Sequence, residues 1–119
     1  GATAANTPTH YWVALYSDAA TPALMAQSAD QLTAAWAANT TKTLALATAQ
    51  TIARTGVYWA AIAVVATAVP SLLGCVAMEP IVTGERNLSQ SSGSALTGTA
   101  PSTIATPTVK QFVPFVVAT

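Results

Sequence analysis

The stretch His10-Tyr-Trp-Val-Ala-Leu-Tyr16 decides how the chain is read. Alternation puts Tyr11, Val13 and Leu15 on one face and Trp12, Ala14 and Tyr16 on the other, and Ser17-Asp18 closes the run. Aromatic and β-branched residues with a period of two, ended by turn formers, predict a β-strand. A turn through Thr21-Pro22 then leads to Ala23-Leu24-Met25-Ala26-Gln27, the expected hairpin partner.

Thr43-Leu44-Ala45-Leu46-Ala47 alternates as well, and Thr51-Ile52-Ala53-Arg54 leads through Thr55-Gly56 into Val57-Tyr58-Trp59-Ala60-Ala61-Ile62-Ala63-Val64-Val65. The last of these is apolar on both faces, which predicts a central strand. Ser71 to Met78 forms another strand after Pro70, and Val109 to Ala118 a final one, in which Pro114 argues for an edge or a bulge. Between them, residues 83 to 108 are rich in Ser, Thr, Gly and Pro, with Leu96 and Ile104 as anchors, and read as a long loop.

One segment admits two conformations. Asp30 is placed to cap a helix through Leu32 and Trp36 ending near Asn39, and the same residues also suit an extended loop. The 27 alanines favour helix, but 19 threonines, the β-branched runs and the regular turn signals favour sheet. The expectation is therefore an all-β chain, a single antiparallel β-sandwich of jelly-roll type over residues 1–119. It is read as a piece of a longer protein or a domain completed by a neighbouring chain.

Charge narrows the function. Four Lys/Arg and four Asp/Glu give a net charge of zero among 119 residues, where an average domain of this size carries roughly thirty charged residues. Lys42, Arg54, Arg86 and Lys110 are far apart, so the clustered basic footprint needed to neutralise phosphates is missing and nucleic acid is not an expected partner. With 52% hydrophobic residues and no charge repulsion, the chain is expected to cover its surface by forming a homo-oligomer. Residues 57 to 78 carry no charge and are long enough to cross a bilayer, but Pro70-Ser71 and Gly74 divide them into strand-sized pieces, so no membrane span is expected.

Chemistry has little to work with. His10 is the only candidate general base, no Gly-x-Ser-x-Gly is present, and it is expected to be a packed or surface residue. A glycan-cleaving enzyme would need paired carboxylates from among Asp30, Glu79 and Glu85. Glu79 and Glu85 are the closest acids, too sparse with one His and one Cys to make a metal motif. Gly93 and Gly98 lack the spacing and the Lys of a phosphate cradle. No catalytic residue, metal or cofactor is expected. Cys75 is alone and sits in an apolar stretch, which predicts a buried, inert thiol.

Aromatic display is the remaining signal. Trp36, in a polar stretch before Asn39-Thr40-Thr41, offers an indole that could stack on a sugar ring, with Asp30 or Asn39 supplying hydrogen bonds. The competing expectation is that Trp36 folds back over the end of the sandwich. Trp12 and Trp59 lie in strands and are expected in the core.

The successions Pro8-Thr9-His10-Tyr11-Trp12-Val13-Ala14-Leu15-Tyr16, Leu24-Met25-Ala26-Gln27-Ser28-Ala29-Asp30 and Ala35-Trp36-Ala37-Ala38-Asn39-Thr40 are similar to tail-associated proteins of bacteriophages infecting actinobacteria. Thr43-Leu44-Ala45-Leu46, Gly56-Val57-Tyr58-Trp59 and Pro70-Ser71-Leu72-Leu73-Gly74 extend the resemblance over most of the chain. These are packing motifs. The resemblance implies an all-β virion module of minor tail proteins, fibres or receptor-binding regions, assembled as symmetric oligomers with other virion proteins, and it transfers no catalytic residue. Such modules carry strand sequence before the His-Tyr-Trp segment, whereas nine residues precede it here. The implied function is a tail structural and adhesion module on the virion exterior that binds host-surface glycan. The alternative is a capsid decoration or head-fibre protein without a receptor.

Overall fold

A computed structural model describes residues 1–76 and 87–119. Among them every regular element is a strand: β1 (Asn6–Tyr16), β2 (Leu24–Gln27), β3 (Trp59–Ala68), β4 (Gly74–Val76), β5 (Gln90–Ser91), β6 (Thr108–Val109) and β7 (Phe112–Pro114). All pairings are antiparallel and form three small sheets, ordered β2-β1-β3, β4-β7 and β5-β6. The chain is thus all-β and antiparallel, as expected. Among the described residues the sheets are small and not closed, so the antiparallel chain is established and the jelly-roll sandwich is not.

β1 is the axis of the main sheet. Its alternation works as read: Trp12, Ala14 and Tyr16 are buried on one face, joined by Ala63 of β3 and Ala100. Leu24, Trp59, Ala61, Leu96 and Ile104 pack around this cluster. Trp12 is therefore core and Trp59 lies at its margin. Pro8 is tolerated within β1 because the register against β3 shifts between Pro8 and His10, where a residue lacking an N–H can sit without breaking the ladder.

The segment read as a long loop turns out to cover the core. The Trp12 indole donates to the Thr97 carbonyl at 2.7 Å and the Tyr16 hydroxyl to the Pro101 carbonyl at 2.8 Å. The Gln27 amide donates to Gly98 O at 3.1 Å while its oxygen accepts from Ala100 N at 2.7 Å. Leu24 N donates to Ser102 O, Ile104 N donates to Pro22 O, and Thr103 bridges Ala23. Large side chains with polar tips draw this Ser/Thr-rich stretch onto the sheet, and Leu96 and Ile104 anchor it as expected.

Other expectations change. Val57 to Val65 yields β3, which is hydrogen-bonded among the described residues to β1 alone and is thus an edge strand. Its apolar residues on both faces reflect incomplete cover and not central placement. Thr43 to Ala47 contributes only the Ser28–Leu46 bridge and an Ala47 N to Gln27 O bond, and residues 51 to 54 form no strand. No helix forms over 30–39, where Leu32 and Asn39 take left-handed backbone angles (φ 48 and 54) that a right-handed helix cannot contain.

β4 realises the middle of the strand read over Ser71 to Met78, but it pairs with β7 and all three of its residues are exposed. Cys75 is accordingly an exposed free thiol, a correction to the buried one expected. Ala77, Met78, Glu79, Glu85, Arg86 and the beginning of the 83–108 stretch lie outside the described residues. No helix in the described residues is long and apolar enough to cross a membrane.

Candidate functional site

The polar residues concentrate where β1 outruns β2. β2 ends at Gln27, leaving the N–H groups of Val13 and Tyr11 without a strand partner, and side chains complete the ladder. The Ser28 hydroxyl accepts from Val13 N at 3.1 Å, and Asp30 Oδ1 accepts from Tyr11 N at 3.1 Å. Gln31 N returns a bond to Tyr11 O at 3.0 Å. Asp30 Oδ1 also accepts from Leu32 N at 3.2 Å, an Asx turn that aims the chain outward in place of a helix cap.

The other carboxylate oxygen, Oδ2, meets His10 Nδ1 at 2.6 Å. Burial pushes the Asp30 carboxyl upward, but the His10 hydrogen bond and charge, with the Leu32 and Tyr11 N–H groups, outweigh it and hold the pKa below the usual carboxylate range. A Cβ at Gly98 would fall onto this carboxylate, so the glycine lets the covering segment close over the pair. Among the described residues no hydroxyl or thiol is hydrogen-bonded to His10, and no three His, Cys, Asp or Glu side chains are placed to hold a metal ion.

On the opposite face of β1 from the core, Tyr11 supports a second cluster. Its ring lies 5.3 Å from that of Trp36, tilted by 55°. The Lys42 ammonium stands 5.4 Å from the Tyr11 centroid and 6.0 Å from that of Trp36, and donates to Ala35 O at 2.6 Å and to the Tyr11 hydroxyl at 3.3 Å. One cation thus ties the 35–42 loop to the sheet through its charge and the two ring faces.

Trp36 is consequently only 6% exposed, and its indole N–H is buried without a partner among the described residues. The indole is packed against Tyr11 and Lys42 instead of being displayed. Asp30 meets the Tyr11 backbone and Trp36 packs on the Tyr11 ring, while Asn39 lies in an exposed turn whose backbone N–H donates to Gly1 O at 2.6 Å, and Gly1 lies beside the Trp36 indole nitrogen. Among the described residues no hydrogen bond joins the side chains of Asp30, Trp36 and Asn39 to one another. Lys42, Tyr11 and the His10–Asp30 pair were missed as a group, and no spacing rule could have joined residues 10, 11, 30 and 42. Comparison with protein-family models, with curated proteins and with solved structures finds no match to this chain.

Proposed function

We propose that this chain is a non-enzymatic structural module of a phage tail, part of the virion exterior, that works by assembling with copies of itself and with other virion proteins. The observation that carries this reading is uncovered apolar surface. Leu73, Val76, Phe112, Phe115, Val116 and Val117 are exposed together on and beside the β4–β7 ribbon. Exposed apolar surface of this kind marks a contact with other protein. The resemblance to tail-associated proteins supplies the setting, and the near-absence of charge agrees with subunits packed side by side.

Adhesion to host-surface glycan is the second part of the reading, and the burial of Trp36 favours the alternative over it: a capsid decoration or head-fibre protein with no receptor. Applying labelled protein to intact actinobacterial cells, with and without enzymatic removal of surface glycans, separates the two. Binding that disappears on stripping assigns a receptor role. Absence of binding, together with incorporation of the chain into particles, assigns the decoration role. A chain that neither self-associates nor joins a particle removes the virion reading.

A further inference from the structure

The outer edge of β3 carries a more specific inference, which rests on the self-assembly part of the proposed function. The direction of its backbone groups follows from β1. Tyr11 and Val13 turn their N–H and C=O groups to the β2 side, where Asp30, Gln31 and Ser28 meet them. Trp12 and Ala14, between them, therefore face β3, and so their partners Ala63 and Ala61 bond inward. The Thr9 hydroxyl reaching Val65 O from the β1 side keeps the same alternation. Ala60, Ile62, Val64 and Ala66 are left directing their backbone N–H and C=O groups away from the sheet, and among the described residues no strand takes them up.

An unpaired edge of this length is normally protected by a lysine, a proline, a bulge or a covering segment. β3 reads Trp-Ala-Ala-Ile-Ala-Val-Val-Ala-Thr-Ala from 59 to 68, with no charge and no proline. Five consecutive residues, Ile62 to Ala66, form one wall of an open groove of about 430 Å³, and Gly93 to Leu96 form the other. A run of consecutive residues along a groove means that the groove follows the strand's edge, since side chains of one face would appear only at alternate positions.

We infer that this edge is a two-fold interface at which β3 of one copy pairs antiparallel with β3 of a second, joining two three-stranded sheets into one of six. Two observations select a second copy as the occupant. The strand is neutral throughout, so it meets its own copy without like-charge repulsion. It is also self-complementary: with the axis at Ala63, Ile62 faces Val64 of the second copy and Ala60 faces Ala66, each outward residue meeting an outward residue. Four such pairs exchange about eight backbone hydrogen bonds. An axis normal to the sheet keeps both core faces on one side, so the two Gly93–Leu96 segments flank the seam.

The test is residue-resolved amide exchange of the intact chain at low and high concentration, with sedimentation velocity on the same samples. A two-copy species is expected to appear with concentration. The amides of Ile62 and Val64 should slow at least about tenfold as it forms, while those of Ala61 and Ala63 are slow at both concentrations because β1 already holds them. Val64→Pro, which removes an outward N–H and leaves the inward ladder intact, should remain a single copy with Ala61 and Ala63 still protected. A dimer whose Ile62 and Val64 amides exchange freely overturns the inference but leaves self-assembly standing. So does a dimer that Val64→Pro does not weaken, or occupation of the edge by an extended segment of a different protein. Single copies at every concentration overturn both. A β3-paired dimer that joins no particle leaves the inference and removes the virion reading.

Discussion

The β2-β1-β3 sheet and the β4–β7 ribbon are both built from apolar sequence, yet among the described residues one is covered and the other is not. On the sheet, Trp12 is 2% exposed, while on and after the ribbon Val76 is 82% and Phe115 77% exposed. The difference lies in the polar tips. Trp12 and Tyr16 bury large rings and also offer an N–H and an O–H that bond Thr97 and Pro101, pulling residues 97–101 over the core. Leu73, Val76, Phe112 and Phe115 have no such group, so nothing within the described chain is directed onto them. Apolarity alone makes a surface that needs cover. A directional handle decides whether the chain itself provides it.

The comparison is broken most severely by Trp12→Ala, which empties the core and releases the Thr97 carbonyl. A loss of about 3–5 kcal/mol in chemical denaturation is expected. The matched change on the ribbon, Phe115→Ser, should leave the stability of a single copy within about 0.5 kcal/mol. Equal effects would mean that the ribbon is as well packed as the sheet.

Tyr16→Phe sharpens the claim about polar tips. It keeps the ring and removes the bond to Pro101, costing about 1–2 kcal/mol by the same measurement. Burial raises the Tyr16 pKa above its usual value, so the folded state holds the phenolic proton more tightly than the unfolded state does. That contribution is complete below the unfolded pKa of about 10 and is lost as pH rises through the folded value. Denaturation measured across that alkaline range should show the loss in the wild type and not in the variant.

Asp30→Asn tests the ladder completed by side chains, with an expected cost of about 1–2 kcal/mol near neutral pH. Because the carboxyl pKa is depressed in the folded chain, its contribution is present above the unfolded value of about 4 and is lost as pH falls through the folded one. The gap between wild type and variant should therefore close on acidification, which acid titrations followed by circular dichroism will reveal. A gap that stays constant with pH would place the effect in shape and not in charge. The smallest effect belongs to Cys75: a thiol-reactive dye should label it fully in the native protein without changing stability, whereas slow labelling would show that the ribbon is covered.

The main sheet was legible because its signal is local. Alternation at His10 to Tyr16, with a turn before Leu24, is enough to specify β1, β2 and their pairing. The role of β3 was not legible, since a strand with apolar residues on both faces reads alike whether two neighbours cover it or the chain leaves one edge open. Residues 97–104 were hidden for the opposite reason, being Ser/Thr/Pro-rich yet held in place by side chains more than 70 positions away. The same distance problem concealed the site. Asp30 has the composition of a helix cap, but it serves Tyr11 and His10 across the sheet, and Lys42 turns Trp36 inward when its polar neighbours suggest display.

Central to the account is that the uncharged surface is covered by protein, beginning with another copy of this chain. Sedimentation equilibrium of the intact chain over a wide concentration range tests this most directly. The account predicts a mass that rises above 12.0 kDa toward a defined multiple. A mass that stays at one chain at every concentration would contradict it.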